Sequence, residues 1–296
     1  MTAAGGSVRP ALAVGVGLVA AGAVCWSTTG LFVRLAGLDP WTISFWRSLF
    51  GAAALGLYLA VARPGASAAA FRSTAWSGAV VVALAAISVL ASVAAFSLTT
   101  VANVSIIHAT LPLIAAGAAW PLVGERPDRW IIASAALVLL GAFVAFGLSG
   151  PGAGDGLALV MTVSMALVAV MIRRHQLVSL LPHLAAATLL AACIAAPFAK
   201  PFEANATQLG ILLLSALLPI AIGNVLFAEG ARVTSAGSAA LVSMIETPLA
   251  PLWVLLAFGE RPSVGALSGG ALIMAAVVAH LYRSARPSGR ATPAGR

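Results

Sequence analysis

The sequence predicts an all-α integral membrane protein of ten transmembrane helices, arranged as two inverted five-helix repeats. Three observations predict it. Charged residues make up 8% of the 296-residue chain and hydrophobic residues 61%, whereas a soluble domain carries about 25% charged residues. Such a chain has too little polar surface to cover itself in water, so the bilayer is its solvent. The tetrapeptide Gly-Glu-Arg-Pro occurs at Gly124–Pro127 and again at Gly259–Pro262, 135 residues apart, each time between two apolar runs. Arginines gather in alternate gaps between those runs, which sets an orientation for each half.

A membrane helix needs about 20 predominantly apolar residues, and ten such stretches occur: 11–33, 41–61, 75–98, 103–123, 129–148, 155–173, 180–199, 208–228, 236–258 and 264–282. All must be helices, because lipid offers no partner to a free backbone amide. Span one follows a single charge, Arg9, and further spans follow it; it reads as an uncleaved helix rather than a signal peptide. Trp26, Ser27, Thr28 and Thr29 interrupt it with polar groups. Asp39 and Pro40 suit the N-cap and first turn of span two. Span four carries Pro112 and span nine Pro248 and Pro251, prolines that remove a backbone bond and bend a helix. Pro112 and Pro248 are therefore hinge candidates. Ser179 is placed to cap span seven, and span eight holds Pro219. Gly265 and Gly269 in span ten permit close helix approach, within a monomer or across a homodimer. Trp41, Trp76, Trp120 and Trp130 fall near span ends, as interfacial belt residues do.

The domain reading follows. Residues 1–10 are a cytoplasmic tail, 11–148 the first repeat, 149–154 a Pro/Gly linker, 155–283 the second repeat, and 284–296 a basic, disordered tail. Twelve of the 16 lysines and arginines fall on the side of the N-terminus, three (Arg34, Lys200, Arg261) on the other, and Arg47 lies within a span. Both termini are therefore expected in the cytoplasm, in a multi-pass protein of the plasma membrane. Five spans per repeat is odd, so the two repeats insert upside down relative to one another.

The net charge of +8 and pI near 11.2 would suit a nucleic-acid binder. The arginines serve topology instead, and no basic stripe with interleaved aromatics exists, which excludes nucleic acid. Cys25 and Cys193 both sit in apolar runs with no disulfide framework or metal-ligand spacing. The Gly152, Gly154, Gly156 run follows a helix rather than a strand, so it is a linker and not a nucleotide loop. No metal and no cofactor is expected. The lipid bilayer and a small-molecule solute are the expected partners.

The duplication extends beyond the tetrapeptide. Thr99–Asn103 aligns with Thr234–Ser238 at the same offset, and Pro112 with Thr247, one place before Pro248. Turn, apolar helix, mid-helix proline, Gly-Glu-Arg, apolar helix is a pattern that resembles the EamA-type repeat of the drug/metabolite transporter superfamily. Trp46-Arg47 in span two occupies the place of that family's arginine. The resemblance covers residues 11–283. It implies a central cavity lined by spans one to four and six to nine, with five and ten behind. It also implies an amino-acid or metabolite exporter-like activity. Small multidrug relatives place an essential Glu in the first helix. Here spans one and six hold no acid except Asp155 at the mouth of six, so that antiport mechanism does not carry over.

Polar groups inside membrane helices are rare and mark functional candidates. Glu246 lies within two residues of the middle of span nine. Arg47 has a guanidinium fork that matches a carboxylate, and the bland alternative is an arginine reaching for the interface. His108 titrates near neutral pH or simply packs. Trp26, Ser27, Thr28, Asn103, Ser105 and Asn224 are weaker candidates for the cavity wall, since such residues often bond their own helix. Together with the resemblance, these residues imply a secondary transporter of a small polar metabolite that exports an amino acid by alternating access. An importer or multidrug-type exporter of the same fold is the alternative. An intramembrane enzyme is the alternative from another class. Gly147-Leu148-Ser149-Gly150 matches a protease-like motif, but the late His280 falls on the opposite face of the membrane.

Overall fold

The computed structural model describes residues 8–124, 152–174, 180–234 and 242–259, with a few isolated positions beyond. Among these residues the chain is helical, with no strand. The helices are α1 Val8–Ser27, α2 Thr29–Ala36, α3 Pro40–Ala62, α4 Ala66–Leu98, α5 Val101–His108, α6 Leu111–Val123, α7 Ala153–Arg174, α8 Leu181–Ala195, α9 Ala206–Ser215, α10 Asn224–Ala231 and α11 Glu246–Phe258. A π-helical segment, Ala216–Gly223, joins α9 to α10. Six stretches are long and apolar enough to cross a membrane: Ala13–Ala36, Pro40–Ala62, Trp76–Leu98, Val101–Leu122, Ala153–Met171 and Ala206–Ala231. They correspond to spans one to four, six and eight. Leu181–Ala195 and Glu246–Phe258 are shorter apolar helices in spans seven and nine. Most of spans five and ten, Ser179, Ser149, His280, Gly265, Gly269, Trp130, residues 1–7, the tail 284–296 and the Glu-Arg-Pro of each tetrapeptide lie outside the described residues.

Local chemistry sets the helix ends. The Asp39 carboxylate accepts from the amides of Trp41 and Thr42, each at 3.0 Å, with Pro40 in the first turn. Asn205 and Gln208 form a reciprocal capping box at the start of α9. Gly124 and Gly259, the first residues of the two tetrapeptides, end α6 and α11 in the left-handed region with φ of 76° and 69°. Each donates its amide to the carbonyl four residues back, Trp120 or Leu255. The repeated glycine is thus a repeated helix stop.

The helix ends meet at two poles. At one, Gln208 Nε2 donates to the Ala36 carbonyl, the Lys200 amide to Thr42 Oγ1, and Thr99 Oγ1 to Asp155. At the other, Arg63 pairs with Glu229, and Thr74 hydrogen-bonds His183. Span one starts at the Arg63 pole, where Gly15 lies against Gly230 and Thr234. Span six starts at the Asp155 pole, where Gly154 lies against Leu98 and Thr99. The described parts of the two halves therefore run in opposite directions. The two glycines mark one contact made twice. A Cβ on Gly15 would stand 2.5 Å from Val233 Cγ2, and one on Gly154 would stand 2.8 Å from the Leu98 carbonyl carbon.

Four spans are discontinuous where the apolar pattern predicts unbroken helix. Thr28 separates α1 from α2, and Ala109–Thr110 separate α5 from α6. Val242 and Ser243 are helical, Met244 and Ile245 form a turn, and helix resumes at Glu246. Positions 109–110 and 244–245 differ by the duplication offset of 135, so the break is inherited by both repeats. Pro112 stands in the first turn of α6, and Pro248 is the third residue of α11. Pro219 lies in the π-helical segment, where an extra residue in the turn frees a carbonyl. The main apolar cluster joins α3 (Leu55, Leu59), α4 (Val81, Ala85), α7 (Val168), α8 (Leu184, Ala187, Ala191) and Ile220.

Candidate functional site

The breaks in spans four and nine bring two half-helix ends together. His108 is the last residue of α5 and Glu246 the first of α11. His108 Nε2 stands 3.1 Å from Glu246 Oε1, with side chains 19% and 13% exposed. A helix C-terminus favours a cation and an N-terminus an anion, so each half-helix supports the charge its own residue can carry. An isolated charge at the bilayer centre costs about 2.5–3.5 kcal/mol on insertion scales. The contact between the two side chains offsets part of that cost.

Hydrogen-bonding capacity is left over around the pair. His108 Nδ1 and Thr247 Oγ1 are buried with no partner among the described residues. Buried polar atoms are paired in the great majority of cases, so one atom on the His108 ring and one on the residue after Glu246 leave hydrogen-bonding capacity open where the two breaks meet. Trp253 Nε1 donates to Ser27 Oγ at 2.8 Å and ties α11 to the break in span one. Ser27 Oγ in turn donates to the Val24 carbonyl, and Thr28 Oγ1 to that of Cys25. Sequence reasoning passed over Trp253, although it lies two turns after Glu246 and so on the same helix face.

The other candidates fall elsewhere. Trp26 packs on span eight: its ring lies 4.9 Å from that of Phe227, and a Cβ on Gly223 would meet its Cδ1 at 2.8 Å. Ser105 Oγ bonds the Val101 carbonyl of its own helix. Asn224 Nδ2 bonds the Ile220 carbonyl at 2.7 Å, a carbonyl of the π-helical segment. Asn103 lies at the Asp155 pole, where its Nδ2 reaches Thr99 Oγ1 and Asp155 Oδ1, both at 3.3 Å. Asp155 Oδ2 also accepts from the Gly152 amide, and Arg34 Nη2 donates to the Thr99 carbonyl. That network joins the ends of spans one, three, four and six.

Arg47 bonds span eight rather than either member of the His108–Glu246 pair. It is 5% exposed, and its Nε donates to Ser215 Oγ, itself fully buried, at 3.0 Å. No cluster of His, Cys, Asp or Glu able to hold a metal exists among the described residues.

Comparison with known proteins agrees with this architecture. The EamA-like transporter family matches twice, over residues 13–147 and 152–282. No curated protein matches the chain. One of 26 matching solved chains, described only as "Crystal structure of protein", covers 94% of this chain and 99% of its own, at 18% identity and a TM-score of 0.67. That likeness is one of fold. Paired family matches, apolar helices long enough to span a bilayer and two oppositely directed halves lead to one conclusion: the chain is a multi-pass membrane protein and belongs to the EamA-like transporter family, whose members carry small solutes across membranes.

Proposed function

We propose that this protein is a secondary transporter that exports an amino acid or a related small polar metabolite across the plasma membrane by alternating access. The single observation that carries the reading is the His108–Glu246 contact where two broken helices meet, with His108 Nδ1 and Thr247 Oγ1 left without a partner among the described residues. Discontinuous helices near the midplane are where secondary transporters of inverted-repeat architecture hold substrate and coupling ions.

The chemistry follows from proton sharing. The solute's ammonium group takes the place of His108 at Glu246, and the proton held by the dyad leaves as it binds. The site then carries a proton or a solute, and this exclusion couples the two flows. α1, α2 and α5 pack against α11. Their other described titratable side chains are Cys25 on α1 and Arg34 at the Asp155 pole of α2. The arginine distribution supports cytoplasmic termini, with the Asp155 pole outside. The chain carries no nucleotide-binding motif, so a gradient supplies the driving force.

Counterflow in proteoliposomes preloaded with each of the proteinogenic L-amino acids tests the reading. Exchange of at least one labelled amino acid above protein-free vesicles is expected. Absence of exchange across the whole panel contradicts it.

A further inference from the structure

Arg47 carries a positive charge for which the described residues provide no counter-ion. All five described acids are engaged elsewhere. Asp39 caps α3, and Asp155 binds Thr99 and Asn103. Glu203 pairs with Lys200, Glu229 with Arg63 and Arg232, and Glu246 with His108. The elements packed against α3 are α4, α8, α9, the π-helical segment and the short turn Pro201–Glu203. Glu203 is the only acid among them, and it stands exposed beside Lys200.

The guanidinium does not reach for the near interface. Arg47 lies seven residues into α3, about 10 Å from its start at 1.5 Å per residue. Its partner Ser215 lies nine residues into α9, which starts at the same pole, about 14 Å deep on the same rise. The side chain therefore points inward. Ser215 occupies Nε, and neither Nη group has a hydrogen-bond partner among the described residues. Neither Nη is among the fully enclosed unpartnered side-chain atoms of the described residues, which are Ser48 Oγ, His108 Nδ1 and Thr247 Oγ1. What remains free is the end-on face of the guanidinium: two parallel N–H donors spaced to match the two oxygens of a carboxylate.

We infer that Arg47, held by Ser215 between span two and span eight, is an intramembrane carboxylate-binding site. That the carboxylate belongs to the carried solute rests on the transporter reading above; the binding itself does not. Ser215 leads into the π-helical segment around Pro219, so an occupied guanidinium sits beside the most irregular stretch of span eight.

The test uses the purified full-length protein in detergent, with acetate, isovalerate and benzoate each compared with its neutral amide at ionic strength matched by chloride. Thermal midpoints report binding, since a ligand of the folded state raises them. At least one carboxylate is expected to raise the midpoint where its amide does not, and Arg47→Gln to abolish the difference. Arg47→Lys keeps the charge and loses the fork, so about tenfold weaker binding is expected. It carries the test if Arg47→Gln fails to fold. Equal effects of acid and amide, or carboxylate binding undiminished in a folded Arg47→Gln or Arg47→Lys variant, overturn the site. Amino-acid counterflow by the same variants separates the two claims. Binding that depends on Arg47 with flux that does not leaves the carboxylate site standing and removes it from the solute path.

Discussion

At the scale of single residues, His108 and Glu246 were legible as rare titratable groups inside apolar runs. Their contact was not, because periodicity assigns a residue to a helix face and says nothing of the neighbour across 138 residues of chain. Arg47 shows the same limit: its partner Ser215 is 168 residues away, and no pattern in span eight singles that serine out. Asp39 is the opposite case, since capping is local and the Asp-Pro pair announces it. Burial alone would raise its pKa, but hydrogen bonds from Thr42 and Trp41, with the charge of Lys200, hold it below the ordinary carboxylate range. A lowered folded-state value stabilises the fold above the ordinary carboxylate pKa of about 3.9, and that contribution is lost as pH falls through the folded value. Asp39→Ala is therefore expected to cost about 1 kcal/mol at neutral pH, as N-cap losses do. Denaturation of both proteins at pH 7 and pH 3 checks it. The gap should narrow in acid, and a gap that stays constant contradicts the cap's charge dependence.

At the scale of elements, most helix positions followed from apolar length alone. What length could not reveal was where helices break, because lipid-facing and cavity-facing stretches are equally apolar. Pro112 and Pro248 hinted at it, and the breaks fall just before them, at Ala109–Thr110 and Met244–Ile245. Span three also begins earlier than the apolar pattern implies, at Ala66, since polar residues in the first turns cost nothing near the interface. The paired glycine contacts give a test of how tightly the elements seat. Gly154→Val places methyl groups against the backbone of Leu98 and Thr99, and Gly15→Val against Val233 and Gly230. Each is expected to destabilise by about 1–3 kcal/mol, the range for overpacking. Gly17→Ala, which meets nothing within 4 Å, should be near neutral. Thermal midpoints of the three variants decide it, and equal midpoints for all three contradict the close approach of spans one and six to their neighbours.

At the scale of the whole molecule, the doubled Gly-Glu-Arg-Pro told most. It announced a duplication, and the odd number of spans per repeat implied inversion. The described helices do run oppositely in the two halves, with span one starting at the Arg63 pole and span six at the Asp155 pole. The repeats are not chemically alike. Pseudo-symmetry relates Leu111 to Glu246 and His108 to Ser243 at the offset of 135, so each half contributes one member of the dyad at a position the other half leaves without charge. The two Gly contacts differ in the same way: Asp155 binds beside Gly154, while Val16 is the residue beside Gly15. Divergence after duplication has placed the titratable pair at the breaks.

The most direct test of the central claim is amino-acid flux into proteoliposomes, measured with and without an imposed pH gradient, for wild type and Glu246→Gln. The gradient is expected to drive wild-type flux. The variant, which keeps the side-chain shape but cannot exchange the proton, is expected to lose that dependence. Wild-type flux indifferent to the gradient, or a Glu246→Gln protein that responds to it as wild type does, contradicts a proton-exchanging His108–Glu246 centre.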